Sequence, residues 1–318
     1  MTGAEPEISV ILAVFRPDMA FLEQQIASVL DQHGCTVRIF LFADGPMPQM
    51  AAIAALVGKD ARLSLTKRPT NRGPAETFLG GLDHALSLPH NGAGDRWFAF
   101  CDQDDIWQQN KLAISHQRIV QSQAACIHSD ARLVDADLNL IAPSMFDAER
   151  RERNPSLIAR FFRNSATGMT MLFDEKLAQQ LTGLRHLRPS MWLHDHFTAF
   201  LAAAGRGLDF EDSALVDYVQ HGGNAVGAGR AGFTWPKFAA LNPQGETAQQ
   251  ICSGAELIRT LLAGETAAAS TRIELERLHG VLTERGVPAA FETLRIAGTT
   301  NSVPRRMLAR LLWSKLVG

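Results

Sequence analysis

The sequence predicts an open α/β sheet with helices on both faces, followed by a mostly helical C-terminal region. Two observations carry that prediction. Apolar runs of strand length read almost without interruption, as strands buried on both faces do, and segments with a helical apolar period separate them at short intervals. Residues 8–14 form the first such strand. After a break at Arg16-Pro17-Asp18, residues Met19, Leu22, Ile26, Val29 and Leu30 recur at helical spacing. Residues 37–43 form a second buried strand, stopped by Asp44-Gly45-Pro46. A short helical segment, a weaker strand at 63–66 and a helix over 74–87 follow, and a Gly/Asn-rich loop ends near Gly94. Residues 96–101 make a further strand that runs straight into Asp102-Gln103-Asp104-Asp105. Beyond this point the pattern loosens, with strands at 124–128, 168–173 and 214–219 and a helix over 192–204. Residues 229–250 carry Gly, Pro and Asn breakers and read as a linker or loop, and helices follow over 251–262 and 269–284.

A chain of 318 residues suits one large domain or a domain with an appendage. With 46% hydrophobic and 20% charged residues the composition is that of an ordinary soluble protein, and a net charge of -2 advertises neither a nucleic-acid partner nor a uniformly basic membrane face. Cys35, Cys101, Cys126 and Cys252 are scattered without a CxxC pair and read as buried thiols in a reducing compartment. Residues 1–7 are polar and acidic, unlike a secretory signal, and no apolar run reaches the roughly 18 residues of a membrane span. The expected location is the cytoplasm.

Ligands of open α/β sheets bind beyond the carboxyl ends of the strands. Asp44 follows the second strand there, and Asp102, Asp104 and Asp105 follow the 96–101 strand. Three carboxylates within four residues repel one another. A hard divalent cation removes that penalty while keeping water and phosphate ligands. The alternative is a solvated acidic turn that caps the next helix, with Asp105 as N-cap. Farther on, Asp195 stands at the start of an apolar helix, where the helix dipole alone also favours a negative side chain.

The run Phe98-Ala99-Phe100-Cys101-Asp102-Gln103-Asp104-Asp105-Ile106-Trp107, with Lys111-Leu112 after it, resembles the Asp-x-Asp segment of family-2 inverting glycosyltransferases. More narrowly, it is similar to the bacterial rhamnosyltransferase-like branch that builds O-antigen and capsular polysaccharides. Other segments agree in order: 8–17 and 21–26, Asp44-Gly45, Asn71-Arg72-Gly73 with Phe78, His194-Asp195, and the block from Tyr218 through Gln220-His221-Gly222-Gly223 to Asn224. The resemblance covers residues 8–226. It departs from the family at Val14-Phe15-Arg16, at the Gly-Pro after Asp44, and at Thr77, where Asn is frequent.

The resemblance implies a GT-A-like (Rossmann-like) nucleotide-sugar-binding domain over residues 1–228, its nucleotide half ending near 123, with a loop and helical region over 229–318. It implies that Asp44 hydrogen-bonds the base or ribose, that Asn71 and Gly73 shape the nucleotide loop, and that Asp102 and Gln103 line the donor. Simple turn-forming roles are the alternatives for Asp44 and Gly73. Asp104 would bind Mn²⁺ or Mg²⁺ bridging the two phosphates, with His221 as a further metal ligand or phosphate contact. Asp195 would be the base that takes the acceptor proton. Trp192 would stack on an acceptor sugar, or else belong to the core. The implied donor is a nucleotide-sugar, first of all dTDP-rhamnose, and the acceptor is a saccharide or lipid-linked saccharide.

The C-terminal segment from Pro304 to Gly318 sets Arg305, Arg306, Arg310 and Lys315 beside an apolar face. That pattern suits peripheral contact with an anionic membrane, but first of all a helix docked on the protein's own core or on a second copy in a homo-oligomer. Two other functional classes compete with the transferase. A sugar-phosphate nucleotidyltransferase would carry a Gly-rich basic signature near the first strand, which Val14-Phe15-Arg16-Pro17 does not supply. A non-catalytic sugar-binding protein would have no need of both Asp104 and Asp195.

Overall fold

The structure, a computed structural model, describes residues 5–89, 95–220, 243–264, 268–300 and Leu311. The first part alternates as the apolar pattern predicts: β1 (Glu7–Val14), α1 (Met19–Leu30), β2 (Thr36–Ala43), α2 (Met50–Val57), β3 (Leu63–Lys67), α3 (Pro74–Ser87) and β4 (Arg96–Cys101). Each element starts and stops for a local reason. Asp18 caps α1 by accepting the Ala20 N–H at 2.8 Å, and Pro74 opens α3, where its missing N–H costs nothing. The strands are uninterrupted apolar runs because both faces are covered. Ile11, Phe40, Phe42, Phe98 and Phe100 enter one core, while Val10, Leu12, Ile39, Leu41, Ala99 and Cys101 enter the other.

The second part is mixed. β5 (Ile106–Trp107), α4 (Lys111–Ser122), β6 (Cys126–Asp135), β7 (Leu140–Ala142), α5 (Met145–Glu149) and α6 (Leu157–Phe162) lead to a 3₁₀ turn at Gly168–Thr170. Then come β8 (Met171–Asp174), α7 (Glu175–Leu184), α8 (His194–Ala204), β9 (Leu208–Gln220), α9 (Pro243–Ala263), α10 (Ala269–Thr283) and α11 (Val287–Thr300). Among the described residues the strands form one sheet in the order β3-β2-β1-β4-β8-β6-β9-β5, with β7 paired to β6. β1 to β4 are mutually parallel. β8 runs antiparallel to both β4 and β6, β9 is parallel to β6, and β5 is antiparallel to β9. The chain therefore builds outward from β1 through β2 to β3, then returns to lay β4 on the other side of β1. That reversal is a topological switch point, and it opens a crevice at the carboxyl ends of β1 and β4.

Helices α1, α2, α4 and α5 cover one face of the sheet. The other is covered by α3, α6, α7 and α8 together with α9 and α10, whose Leu257, Ile258, Leu275 and Leu278 are fully buried in that core. Gly254 of α9 meets the Phe161 ring so closely that a Cβ there would lie 2.6 Å from it. Leu311 is buried in the same core, so at this position the amphipathic C-terminal segment docks on the protein itself. The rest of that segment, and the boundary expected at 228, lie outside the described residues. No helix among the described residues is long and apolar enough to cross a membrane.

Three expectations need correction. The 229–250 stretch is not a loop throughout, because α9 begins at Pro243; proline is tolerated in a first helical turn, so this breaker marks a helix start. The strand expected over 168–173 begins only at Met171, after the 3₁₀ turn. Asp105 does not cap a helix: α4 begins at Lys111 with Asn110 at its cap, and Asp105 is 1% exposed in the interior.

Candidate active site

The crevice is framed by the exits of β1 and β4, and the two are tied together. The side-chain amide of Gln103 accepts from the Phe15 N–H at 2.9 Å and donates to the Phe15 carbonyl at 3.2 Å. An amide matches a peptide unit in this paired fashion because it carries one donor and one acceptor side by side. Gln103 thus fixes the β1 exit against the acidic turn.

Asp44, just past β2, is buried, and its two oxygens accept from the backbone N–H groups of Arg72 and Gly73, each at 2.9 Å. Asn71 adds its own Oδ1 to the Gly73 N–H at 3.1 Å. The carboxylate therefore pins the turn that starts α3. Two glycines make this possible. Gly73 has φ 82°, and Gly45 has φ 95°, with a Cβ at residue 45 falling 2.8 Å from the Asn71 nitrogen. A carboxylate has about four lone-pair sites, so Asp44 keeps acceptor capacity beyond this turn.

After β4, Asp102 and Asp104 are partly buried and Asp105 is fully so. Burial first, then the charges of Asp104 and Asp195, push the Asp102 carboxyl up to about 7. Asp105 lies deeper. Burial, with Asp102 and Asp104 beside it, holds its carboxyl well above the carboxylate range. Its Oδ1 accepts from the Val219 N–H at 3.3 Å, and its Oδ2 has no hydrogen-bond partner among the described residues. β5 follows at once and pairs Ile106 with Asp217 and Trp107 with Val216, so the acidic turn is fastened to the end of β9. Lys111 is buried behind it, its ammonium 3.9 Å from the centre of the Trp107 ring, and desolvation lowers it to about 7.

The opposing carboxylate comes from a helix. Asp195 is in the first turn of α8, whose cap residue Leu193 offers no side-chain acceptor. Its Oδ1 accepts the His196 N–H at 2.7 Å, and the Gly168 N–H also steadies the charged form. Burial nevertheless raises the Asp195 carboxyl to about 6, with Arg151 opposing the rise. His194 fixes this turn to the sheet: its ring stacks on Phe78 of α3 at 3.8 Å and meets Phe100 of β4 edge-on at 4.7 Å. Phe100 lies two residues before Asp102, which brings Asp195 within electrostatic reach of the acidic turn.

Asp102, Gln103, Asp104 and Asp195 thus gather at one crevice, while Asp44, Asn71 and Gly73 form its loop on the β2 side. Trp192 is different. It is 5% exposed, stacked on His196 at 4.3 Å and packed against Phe161 and Phe200, so its ring belongs to the core and offers no free face to an acceptor sugar. His221 lies outside the described residues. Among the described residues no group of three or more His, Cys, Asp or Glu side chains converges as a metal site. Arg151 and Gly168 are site residues that the sequence does not single out. Arg151 sits in a polar, arginine-rich stretch of unremarkable pattern, and Gly168 opens what reads as an apolar strand.

A single mixed α/β sheet with a parallel half, an acidic turn at its switch point and a largely helical C-terminal region is consistent with a GT-A-like fold. Residues 9–174, a little over half of the chain, match the profile of glycosyl transferase family 2, and the chain belongs to that family. An uncharacterized glycosyltransferase of Haemophilus influenzae is 30% identical over 137 residues, 43% of this chain and 51% of that protein. The chain thus spans about half the length of that curated relative. S. aureus TarS in complex with UDP-GlcNAc is similar with a TM-score of 0.55 at 14% identity, covering 95% of this chain and 82% of that one. The mannosyltransferase PcManGT of Pyrobaculum calidifontis, in complex with GDP-Man and Mn²⁺, has a TM-score of 0.52 at 14% identity, over 96% and 79% of the two chains. At such identity these structures share the fold. The match is at the level of the family.

Proposed function

We propose that this chain transfers a sugar from a nucleoside-diphosphate sugar to a hydroxyl of a saccharide or lipid-linked saccharide in a single, inverting displacement. The observation that supports it most is the pairing of unlike carboxylates across one crevice: Asp102 and Asp104 on the turn after β4, and Asp195 on α8. Single displacement needs a base on the side away from the leaving group. In this reading Asp195 takes the acceptor proton as that oxygen attacks the anomeric carbon and the bond to the diphosphate breaks. A carboxyl held near 6 is largely ionised at neutral pH yet basic enough for the task.

The acidic turn fits a hard divalent cation. Its carboxylates raise one another's proton affinity, and a cation of the Mg²⁺ type takes only about one or two protein carboxylates beside water and phosphate. Asp104, with His221, would hold Mn²⁺ or Mg²⁺, which supplies Lewis-acid stabilisation of the departing diphosphate. Asp44, through its remaining lone pairs, Asn71, Gly73, Asp102 and Gln103 face the nucleoside and phosphates. Given the motif, dTDP-rhamnose is the first donor to test. A cytoplasmic location, with membrane contact or self-association through residues 304–318, accompanies this reading.

The test is thermal-shift binding of dTDP-rhamnose, UDP-GlcNAc, GDP-mannose and their nucleoside diphosphates, with and without Mn²⁺. A donor at 100 times its Kd adds about 2.7 kcal/mol, a rise of about 4 °C for a chain of this size. Stabilisation by one donor that needs Mn²⁺ is the expected result. No response to any nucleotide would sink the reading.

A further inference from the structure

We infer that Arg151 is a positioning residue for the transfer, holding the loop that precedes the 168–170 turn and, through it, the Asp195 carboxylate; this rests on Asp195 being the base. The guanidinium reaches that loop directly. Its Nη1 donates to Thr167 Oγ1 at 2.8 Å and to the Ser165 carbonyl at 3.3 Å, while Nε is held by Glu149 at 2.6 Å. The side chain is largely buried and lies over the Phe146 ring. From the other side, Arg160 donates to Ser165 Oγ at 3.1 Å, and its own carbonyl is bonded to His196 Nε2 at 2.6 Å. Asn164 closes the loop on Ala166. The residue after Thr167 is Gly168, whose N–H steadies Asp195 and whose Cα packs so tightly that a Cβ would lie 2.6 Å from His194 Nε2. A displacement at Thr167 therefore passes to Asp195 with little slack. A planar guanidinium with several fixed donors serves these acceptors at once, from Nε and Nη1.

Arg151 also acts by charge. The groups around Asp195 are Asp102 across the crevice, with Asp104 beside it, and His194 and His196 on α8. Burial holds both histidines neutral, at about 3 and about 4, and Asp102 is itself acidic. Among the described residues, Arg151 is the cation that favours ionised Asp195. Position and charge point the same way: an oriented carboxylate kept ready to accept a proton.

The experiment titrates the Asp195 carboxyl in the full chain carrying ¹³C at its aspartate carboxyls, with Asp195→Asn assigning the signal. The Asp195 signal is expected to titrate at higher pH in Arg151→Gln than in the parent, and Arg151→Lys is expected to bring it back. An unchanged titration in Arg151→Gln overturns the proposal. Release of nucleoside diphosphate from dTDP-rhamnose, UDP-GlcNAc or GDP-mannose gives the second readout. Arg151→Gln is expected to lower kcat about tenfold, as the loss of one positioning hydrogen bond would, with KM for the donor unchanged. Thr167→Val, which removes only the hydroxyl acceptor, should lower kcat severalfold and serves if Arg151→Gln misfolds; parental turnover in it counts against the proposal. In an Asp195→Asn background Arg151→Gln should cost nothing more. The same loss in both backgrounds means that Arg151 acts elsewhere. Parental turnover in Asp195→Asn would instead sink the base reading, and the carboxyl titration would still judge the coupling of Arg151 to Asp195.

Discussion

The two halves of the sheet place their functional groups by different means. In the parallel half, β1 to β4, each acidic residue is the next one along the chain after a strand ends: Asp44 after β2 and Asp102 after β4. Nearby segments of sequence fix both. In the mixed half the strands pair across long stretches of sequence, and β6 matches β9 from Cys126–Leu208 to Asp135–Gln220 with shifts of register between. Asp195 follows no strand. It is aimed by the first turn of α8, by a ring stack on Phe78 and by a loop that Arg151 and Arg160 fasten. On the proposed function the donor side is thus set by strand ends and the acceptor side by packing, so remote substitutions should disturb turnover more readily than donor binding.

The largest effects should divide along the same line. Asp195→Asn is expected to lower transfer by about 10² to 10⁴, the usual contribution of a positioned base, while donor affinity stays parental. Asp104→Ala should instead abolish the Mn²⁺-dependent part of donor binding, measured by calorimetry. Parental turnover in Asp195→Asn would break the comparison, because the mixed half would then carry no chemistry.

A matched pair of glycines gives the next test. Gly168→Ala forces a Cβ to 2.6 Å from His194 Nε2, and Gly45→Ala forces one to 2.8 Å from the Asn71 nitrogen at a φ of 95°. Overpacking of this kind costs about 1–3 kcal/mol, to be read by denaturant melts. Beyond that shared loss, Gly168→Ala should lower kcat and Gly45→Ala should weaken donor binding. If Gly168→Ala impairs binding as much as turnover, the two halves are not separable.

The same division explains what can be read from the sequence. The parallel strands and α1 and α3 follow from apolar runs and punctuation, because both signals are local: α3 spans the predicted 74–87. In the mixed half, β9 runs from Leu208 to Gln220 although only 214–219 has a strand pattern, since Glu211, Asp212 and Ser213 interrupt the apolar run. α4 escapes notice because only Leu112 and Ile119 supply buried apolar anchors beside the buried Lys111 and Ser115. Asp102, Asp104 and Asp195 stand out by motif. Nothing local marks Asp105 as a buried group, because its partner Val219 is 114 residues away. Nor does the sequence separate a tryptophan that stacks on a ligand from one that, like Trp192, stacks on His196 inside the core.

The smallest expected effect is on stability, and its sign differs between carboxylates of the site. Asp195 and Asp102 keep their protons in the folded chain to about 6 and about 7, whereas an unfolded Asp loses its proton near about 4. Between these limits the folded state binds more protons, so the contribution of these groups to stability falls as pH rises from about 4 to about 7. Asp195→Asn and Asp102→Asn remove a carboxylate whose charged form burial disfavours. Each should be more stable than the parent at pH 8 by on the order of 1 kcal/mol, a gain that fades as pH drops through 6 and is gone near 4. Asp44→Asn should do the opposite. Its two oxygens serve two backbone N–H groups, and a carboxamide leaves one of them facing a donor, at a cost of about 1–3 kcal/mol. Thermal melts across pH 4 to 8 decide it. If Asp195→Asn is less stable than the parent at pH 8, the carboxylate is held by its structural contacts, as Asp44 is.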